Sequence, residues 1–202
     1  MNHPAHSLLP ILGNLKRGKL FILSAPAGTG KTTLVRLLVT EFPCVMASIS
    51  LTTRQPRGNE VDGVDYYFVS DKEFVSRIAA GEFLEYVELY GHYYGTSRVW
   101  VEQQLDRGKH VVLVIDTQGA RALRGKVDVV TIFVSPPSID ELEKRLKQRK
   151  TESGDVIDQR LAWAREEMRA QHEYDYLIVN DDLATAYQVL RSIFVAEEHR
   201  IG

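Results

Sequence analysis

Residues 24–33 of the chain read Ser24-Ala25-Pro26-Ala27-Gly28-Thr29-Gly30-Lys31-Thr32-Thr33. This stretch follows the apolar run 20–23 and opens a helical pattern, which is the strand–turn–helix context of a phosphate-binding loop. The N–H groups of such a turn converge on an anion at the helix start, where the helix dipole favours negative charge. The usual pattern has glycine where this chain has Ala25, and alanine is conformationally more restricted. We predict that a nucleoside triphosphate binds here, in preference to a glycine-rich turn without a ligand.

Two side chains of this loop have predicted roles in the chemistry. Lys31 places a mobile positive charge on the outer phosphates, and the Thr32 hydroxyl is a candidate Mg²⁺ ligand. The predicted triphosphate-binding residues of the loop are Ala25, Pro26, Ala27, Gly28, Thr29, Gly30, Lys31, Thr32 and Thr33.

The composition limits the classes of protein to which the chain can belong. Its 202 residues suffice for one domain with appendages, and the hydrophobic (44%) and charged (26%) fractions are ordinary for a globular protein. A net charge of -2 gives no electrostatic case for a nucleic-acid or membrane partner. The single cysteine, Cys44, excludes an intramolecular disulfide and fits a cytoplasmic location. We interpret residues 1–18 as an extension, flexible or docked on the surface, and not as a signal peptide.

Apolar runs and helical patterns alternate along most of the chain. Runs that predict strands buried on both faces lie at 20–23, 45–49, 111–115, 129–134 and 176–179. With helices between them, they predict an α/β fold in which a parallel five-stranded sheet carries helices on both faces.

Two segments interrupt this alternation. Residues 51–96 are rich in Tyr, Gly, Arg and Glu, and they predict a small inserted subdomain with mixed strand pairing. Residues 138–170 are highly charged, and they predict a lid. The core then comprises residues 19–50, 97–137 and 171–202.

A second motif follows in Thr52-Thr53-Arg54-Gln55-Pro56-Arg57-Gly58-Asn59-Glu60-Val61-Asp62-Gly63-Val64-Asp65-Tyr66-Tyr67-Phe68. Arg54 and Arg57 flank a proline, and two guanidinium forks can clamp one phosphate dianion. Tyr66 and Tyr94 can each donate a hydroxyl to the same anion. The alternative is a solvated basic turn beside an edge strand.

This motif resembles the signature of guanylate kinases, and the resemblance runs from about Lys19 to the C-terminus. It includes the stretches 91–96, 115–119, 135–138 and 179–182. The resemblance implies a P-loop nucleoside monophosphate kinase fold with a core, a GMP-binding subdomain and a lid. It also implies transfer of the γ-phosphate of ATP to GMP or dGMP with Mg²⁺. Nothing in the sequence predicts the oligomeric state.

The resemblance further implies a role for individual residues. Those that would hold the GMP phosphate are Ser50, Arg54, Arg57, Tyr66 and Tyr94. Glu85 and Thr96 would read the guanine base, whereas Asn180 and Asp181 match a stretch beside the ATP adenine. Arg149 and Arg160 match lid arginines that reach the transferring phosphate. The implied catalytic set is therefore Lys31, Arg57, Arg149 and Arg160.

Asp116 and Val114 lie at the end of the predicted strand 111–115. A carboxylate in the place of Asp116 commonly orients Mg²⁺ through water or contacts substrate, although such an aspartate is more often a helix cap or turn residue. Many relatives carry an acid where this chain has Val114, so a nearby carboxylate is missing. We expect activity to be retained without it.

Three other functions compete with this interpretation. A kinase for another nucleoside monophosphate would share the loop and the lid, but Glu85 suits the adjacent N1–H and N2–H₂ donors of guanine. A scaffold module that binds phosphopeptides would have lost the ATP loop, whereas Lys31 and Thr32 are present. A GTPase-type switch would carry an Asn-Lys-x-Asp motif, which does not occur in the chain.

Overall fold

The computed structural model describes residues 10–89, 91–148 and 154–201 of the chain. The strands are β1 (Leu20–Ser24), β2 (Val45–Ala47), β3 (Leu51–Thr52), β4 (Tyr67–Phe68), β5 (Phe83–Leu89), β6 (His92–Ser97), β7 (His110–Leu113), β8 (Val130–Ser135) and β9 (Tyr176–Val179). The α-helices are α1 (Lys31–Glu41), α2 (Asp71–Ala79), α3 (Arg98–Asp106), α4 (Thr117–Leu123), α5 (Ile139–Gln148), α6 (Gly154–Arg169) and α7 (Leu183–Glu198). A short 3₁₀ turn, Ala170–Glu173, follows α6.

The central sheet has five strands in the order β2-β7-β1-β8-β9, and every neighbouring pair is parallel. All five residues of β1 are buried, which explains why this strand is a continuous apolar run in the sequence. The five strands predicted for this sheet agree with those observed to within two residues at each end. The predicted α/β fold is therefore confirmed, and the middle strand is the one that the phosphate-binding loop follows.

Side chains of β1 alternate between the two faces of the sheet and enter two hydrophobic clusters. Phe21 points to the larger core cluster, where it packs with Leu34 of α1 and stacks on Phe194 of α7. Ile22 points to the opposite cluster, which includes Val101 of α3. Helices therefore cover both faces, and each fully buried large side chain contributes about 1.5–3 kcal/mol.

A second, four-stranded sheet has the order β4-β3-β6-β5. β3 pairs with β4 in parallel, whereas β6 pairs with both β3 and β5 in antiparallel orientation. The mixed pairing predicted for residues 51–96 is therefore confirmed. Helix α2 begins at a Ser70 cap, and its Phe74 stacks on Phe83 and Tyr93 to hold the helix against the sheet.

Helices α5 and α6 pack on each other within the charged segment that predicts a lid. Their contact is a small hydrophobic cluster, to which α5 contributes Leu142 and Leu146, and α6 contributes Ile157, Leu161 and Ala164. These side chains recur at helical spacing, whereas charged residues occupy the other faces. No helix in the described part of the chain is both long enough and apolar enough to span a membrane.

Residues 10–18 are docked on the body of the protein by the Glu198 carboxylate. The backbone N–H groups of Gly13 and Asn14 donate to this carboxylate at 2.7 and 2.9 Å. His110 Nε2 lies 2.6 Å from it, and both side chains are almost fully buried. Because the N–H of Lys19 donates to His110 Nδ1, the ring proton is on Nε2 and points to Glu198. The extension was expected to be either flexible or docked on the surface, and residues 10–18 are docked. Residues 1–9 lie outside the described part of the chain.

We expect Glu198→Ala to lower the free energy of unfolding by about 3 kcal/mol at pH 7, because His110 and two backbone N–H groups lose a buried acceptor. Burial disfavours the charged carboxylate, but these donors outweigh burial and lower the pKa of Glu198 to about 2. The stabilisation is thus fully present above the ordinary pKa of 4.5, and it is lost as the pH falls towards 2. Urea denaturation between pH 2.5 and 7 measures both effects.

The control for this variant is Glu173→Ala, which removes an exposed ion pair with Arg121. It should change the free energy of unfolding by no more than about 1 kcal/mol. Equal losses in the two variants would contradict the anchoring role of Glu198.

Candidate active site

The loop between β1 and α1 has the backbone geometry of an anion-binding turn. Gly28 and Gly30 adopt left-handed conformations with φ of 92° and 93°, which glycine accepts without strain. The start of α1 has neither a capping side chain nor an acidic residue in its first turn. Its first backbone N–H groups are consequently available to an anion. Ala25, in place of the usual first glycine, is only 2% exposed, and its methyl group belongs to the larger core cluster.

Lys31 and Thr32 occupy the first turn of α1. The ammonium of Lys31 reaches back over the loop and donates to the carbonyl oxygens of Ala25 and Pro26. The Thr32 side chain is on the exposed side of the helix. Both groups lie at the carboxyl end of the middle strand, where ligands bind in open parallel sheets.

Asn180, which follows β9, closes one side of the loop. Its Nδ2 donates to the carbonyl of Thr29 at 2.6 Å, and a Cβ at Gly30 would lie 2.6 Å from the same nitrogen. Arg145 of α5 donates from Nη1 to the Asn180 carbonyl at 2.9 Å. The resulting cavity of about 400 Å³ is lined by Gly28, Thr29, Gly30, Thr33, Arg145, Gln148, Asn180, Asp181 and Leu183. The structure thus places Asn180 and Asp181 beside the loop, together with Arg145, which the sequence did not single out.

Three of the five residues expected at the GMP phosphate form one cluster. Arg54 is 6% exposed, and its Cζ lies 5.2 Å from the centre of the Tyr66 ring. Tyr94 meets Tyr66 edge to face at 6.1 Å between ring centres. Burial raises the pKa of the Tyr66 hydroxyl, so this tyrosine is a neutral hydrogen-bond donor at physiological pH.

The other two residues of that set lie around this cluster. Arg57 is exposed in the following turn. Ser50 directly precedes β3, and its carbonyl accepts a hydrogen bond from the N–H of Tyr67 at 2.9 Å. Glu60 pairs with Arg54 through both carboxylate oxygens, and hydrogen bonding to Glu60 is the main reason why the pKa of Arg54 is raised above its ordinary value.

Glu85 and Thr96 are neighbours across β5 and β6 and face the same buried position. The Thr96 hydroxyl donates to Glu85 Oε1 at 2.6 Å. Burial, reinforced by the charge of Asp116, raises the pKa of Glu85 to about 7, although the Thr96 hydrogen bond opposes the shift. Gly119 of α4 packs so closely that its Cβ would lie 3.0 Å from Glu85 Oε2. The carboxylate is therefore held in one orientation.

Asp116 caps α4, because its Oδ1 accepts a hydrogen bond from the N–H of Gly119 at 2.8 Å. It also interacts electrostatically with Lys31 and with Glu85, and burial raises its pKa. The cap interpretation is confirmed, and the same carboxylate interacts with both the loop lysine and Glu85. Val114 follows the last residue of β7 and packs, partly buried, against the larger core cluster.

Helix α6 belongs to the segment that is predicted to be a lid, and one of its side chains interacts electrostatically with Lys31 of the loop. Arg160 lies in α6 and is half-buried, whereas Arg149 falls outside the described residues. Glu167, near the end of the same helix, has its pKa raised to about 7 by burial and by Asp116, against the opposing charge of Lys31. The sequence did not single out Glu167, because a charged residue in a charged helix carries no distinguishing pattern.

A larger cavity, of about 720 Å³, lies at the amino ends of the strands and includes Lys19, Leu20 and Val130 in its lining. Parallel sheets bind ligands beyond the carboxyl ends of their strands, where the loop between β1 and α1 is. We therefore place the active site at the loop and not in the larger cavity.

The fold and the loop define a class of enzyme, the kinases with the P-loop nucleoside monophosphate kinase fold. A family model described as guanylate kinase matches residues 17–197. The guanylate kinase of Protochlamydia amoebophila is 62% identical over 190 residues, with 94% of this chain and 96% of the relative covered. That of Chlamydia felis is 54% identical over 183 residues, with 90% of each chain covered.

A solved structure supports the same assignment. The crystal structure of guanylate kinase from Anaplasma phagocytophilum superposes with a TM-score of 0.74 at 34% identity, and the match covers 91% of this chain and 88% of the other. The chain belongs to the guanylate kinase family. Its activity is accordingly the phosphorylation of GMP by ATP.

If Glu85 accepts both guanine donors, as the sequence predicts, it must be ionised to do so. We then expect the affinity for GMP to rise with pH through about 7, because the pKa of Glu85 in the free protein is about 7. The loss should approach about tenfold per pH unit below that value. Isothermal titration calorimetry between pH 5.5 and 8.5 measures the dissociation constant.

The GMP phosphate also titrates, with a second pKa of about 6. Glu85→Gln is the control for that effect, because it retains the substrate titration and lacks the carboxylate. The same pH dependence in both proteins would show that Glu85 is not the titrating group.

Proposed function

We propose that this guanylate kinase transfers the γ-phosphate of ATP to GMP and dGMP by an Mg²⁺-assisted in-line displacement. The observation that carries the proposal is the place of Asp116, which interacts with Lys31 of the loop and with Glu85 of β5. A nucleoside triphosphate on the loop and a nucleoside monophosphate beside Glu85 would therefore lie close to each other.

GMP would bind to the subdomain of residues 51–96. Arg54, Arg57, Tyr66, Tyr94 and Ser50 are proposed to hold its phosphate. Guanine presents N1–H and N2–H₂ side by side, which match the two oxygens of the Glu85 carboxylate, with Thr96 beside it. Adenine presents a lone pair at N1 and would be repelled. A site built around such donors rejects analogues that lack them by up to about 10⁴–10⁵-fold, because a buried charge is left unpaired.

ATP would bind along the loop, residues 25–33, with its adenine in the cavity beside Asn180 and Asp181. A phosphate oxygen of GMP then attacks the γ-phosphorus, and the bond to the bridging oxygen of the ADP leaving group breaks. The protein has little covalent chemistry to perform, so its contribution is alignment and positive charge on the equatorial oxygens. The proposed sources of that charge are Lys31, Arg57, Arg149 and Arg160. Closure of the lid, residues 138–170, would also exclude water from the γ-phosphate.

The donor set beside the loop fits Mg²⁺. Within the described part of the chain, no group of three or more His, Cys, Asp or Glu side chains is placed to hold a metal. Mg²⁺ commonly binds through one or two protein oxygens, several waters and the substrate phosphates. Thr32 would supply a hydroxyl, and Asp116 would hold a coordinated water. When bound, Mg²⁺ neutralises charge that develops on the phosphates.

The proposed organisation is an extension of residues 1–18 followed by a guanylate kinase domain of residues 19–202. We propose a cytoplasmic location, which the lone Cys44 thiol and the bacterial relatives support. The proposed partners are the two nucleotides, without nucleic acid or membrane.

A coupled assay of ADP formation with GMP, AMP, UMP and CMP tests the proposal. We expect GMP to be preferred over AMP by at least about 10⁴-fold in kcat/KM. Lys31→Ala should lower kcat for GMP by about 10²–10³-fold, because the transferred phosphoryl group loses a positioned cation. Equal rates with AMP, or near wild-type turnover in Lys31→Ala, would contradict the proposed base recognition or loop role, respectively.

We expect Arg160→Met to lower kcat by about 10³-fold with little change in KM for GMP, because a lid arginine would act mainly on the transition state. Steady-state kinetics with both substrates varied gives the two constants. Arg169→Met is the matched control, since Arg169 is an exposed arginine of the same helix and pairs with Glu166. An effect of Arg160→Met on KM alone would make Arg160 a ground-state anchor.

A further inference from the structure

Glu60 contacts both arginines that are assigned to the GMP phosphate. Arg54 donates to it from Nη1 at 2.9 Å and from Nη2 at 3.0 Å. The backbone N–H of Arg57 donates to the same carboxylate at 2.8 Å. In the described part of the chain, no other carboxylate forms an ion pair with Arg54.

Hydrogen bonds within the protein occupy one edge of the Arg54 guanidinium. Of its five N–H donors, two on Nη1 go to Glu60 and to the carbonyl of Gln55, and one on Nη2 goes to Glu60. The opposite edge, formed by Nε–H and the second Nη2–H, has the fork geometry that binds phosphate oxygens in pairs. The Tyr94 hydroxyl also interacts with this guanidinium.

The guanidinium is restrained on its faces as well as on its edge. Its Cζ lies 5.2 Å from the centre of the Tyr66 ring and 5.9 Å from that of Phe68. Rotation of Arg54 to another orientation would thus break two ring contacts together with the paired hydrogen bonds. A guanidinium fixed before substrate arrives loses less conformational entropy on binding.

We propose that Glu60 is a positioning residue of the phosphate site: it holds Arg54 by one edge and the backbone of Arg57, so that the other guanidinium edge is presented to the phosphate of GMP. This inference rests on the proposed role of Arg54 and Arg57.

Glu60 is itself held by the turn that it organises. Its N–H donates to the carbonyl of Arg57 at 3.0 Å, while its carboxylate accepts from the N–H of the same residue. Gly58, inside this turn, has a φ of 54°, a left-handed conformation that favours glycine. The carboxylate therefore stays on Arg54 when phosphate binds to the opposite edge, and it does not compete with phosphate for the arginine.

The test is the affinity of Glu60→Gln for three ligands, measured by isothermal titration calorimetry. Glutamine keeps the size of the side chain but pairs poorly with a guanidinium, because one oxygen becomes an NH₂ donor. We expect the dissociation constant for GMP to rise about tenfold or more, while those for guanosine and ATP stay within about twofold. Guanosine lacks the phosphate, so a loss confined to GMP assigns the effect to the phosphate site.

Two further variants complete the experiment. Glu73→Gln is the matched control, since Glu73 pairs with Arg77 on the exposed side of α2 in the same subdomain, and it should leave all three constants unchanged. Glu60→Asp keeps the charge but is one methylene shorter, and the same phosphate-confined loss is expected from it. It provides the test if Glu60→Gln does not fold.

Three results would overturn the inference. Tighter GMP binding by Glu60→Gln would mean that the carboxylate competes with phosphate. Unchanged GMP binding, or an equal loss for guanosine, would also exclude the positioning role. Arg54→Ala distinguishes this failure from failure of the proposed function. If Arg54→Ala weakens GMP and Glu60→Gln does not, only the role of Glu60 is wrong. If Arg54→Ala has no effect, the assignment of the phosphate site itself is wrong.

Discussion

The rest of the structure is organised around the start of helix α1, which no side chain caps. Helices α2, α3, α4 and α7 each begin with a side chain that accepts a backbone N–H, from Ser70, Ser97, Asp116 and Asp182. Helix α1 has no such cap, so its first backbone N–H groups are available to an anion. The parallel order of the central sheet puts this helix start at the middle of the carboxyl edge. Asn180 then holds the loop from one side, and Arg145 of α5 donates a hydrogen bond to the Asn180 carbonyl.

A second theme of the site is carboxyl groups that are costly to ionise. Glu85, Asp116 and Glu167 all have a raised pKa, in each case chiefly because of burial, and Asp116 acts on both of the others. As the pH rises above the ordinary pKa values of these groups, the free energy of unfolding of the free protein falls, because the groups ionise more easily in the unfolded chain. A ligand that brings hydrogen-bond donors or positive charge stabilises the ionised carboxylates. The stability that the free protein loses through these groups therefore contributes to the affinity for the ligand. Such an arrangement is typical of functional sites, where charge is placed for a ligand and not for the fold.

The sequence was sufficient for the parts of the fold that local pattern determines. The run from Leu20 to Thr33 predicts strand, loop and helix, and buried parallel strands are recognisable because they are apolar on both faces. β3 and β6 are not recognisable from local pattern, since β3 has only two residues and β6 is polar, with tyrosines and a glycine. The pairing of Glu60 with Arg54 and that of Glu198 with His110 were also beyond the sequence. The first lies in a polar turn without periodicity, and the second joins residues 88 positions apart.

The anchoring of residues 10–18 brings the two ends of the described chain together. Glu198 binds Gly13 and Asn14, and His199 Nε2 lies 3.1 Å from the carbonyl of Ile11. Both segments meet at the first residue of β7, on the amino edge of the central sheet, whereas the nucleotides would bind at the carboxyl edge. Residues 11 and 199 therefore lie on the same side of the molecule, away from the loop at which the triphosphate would bind. Because residues 11 and 199 are so close, a short linker could join them in a circular permutant that keeps the carboxyl edge of the sheet intact.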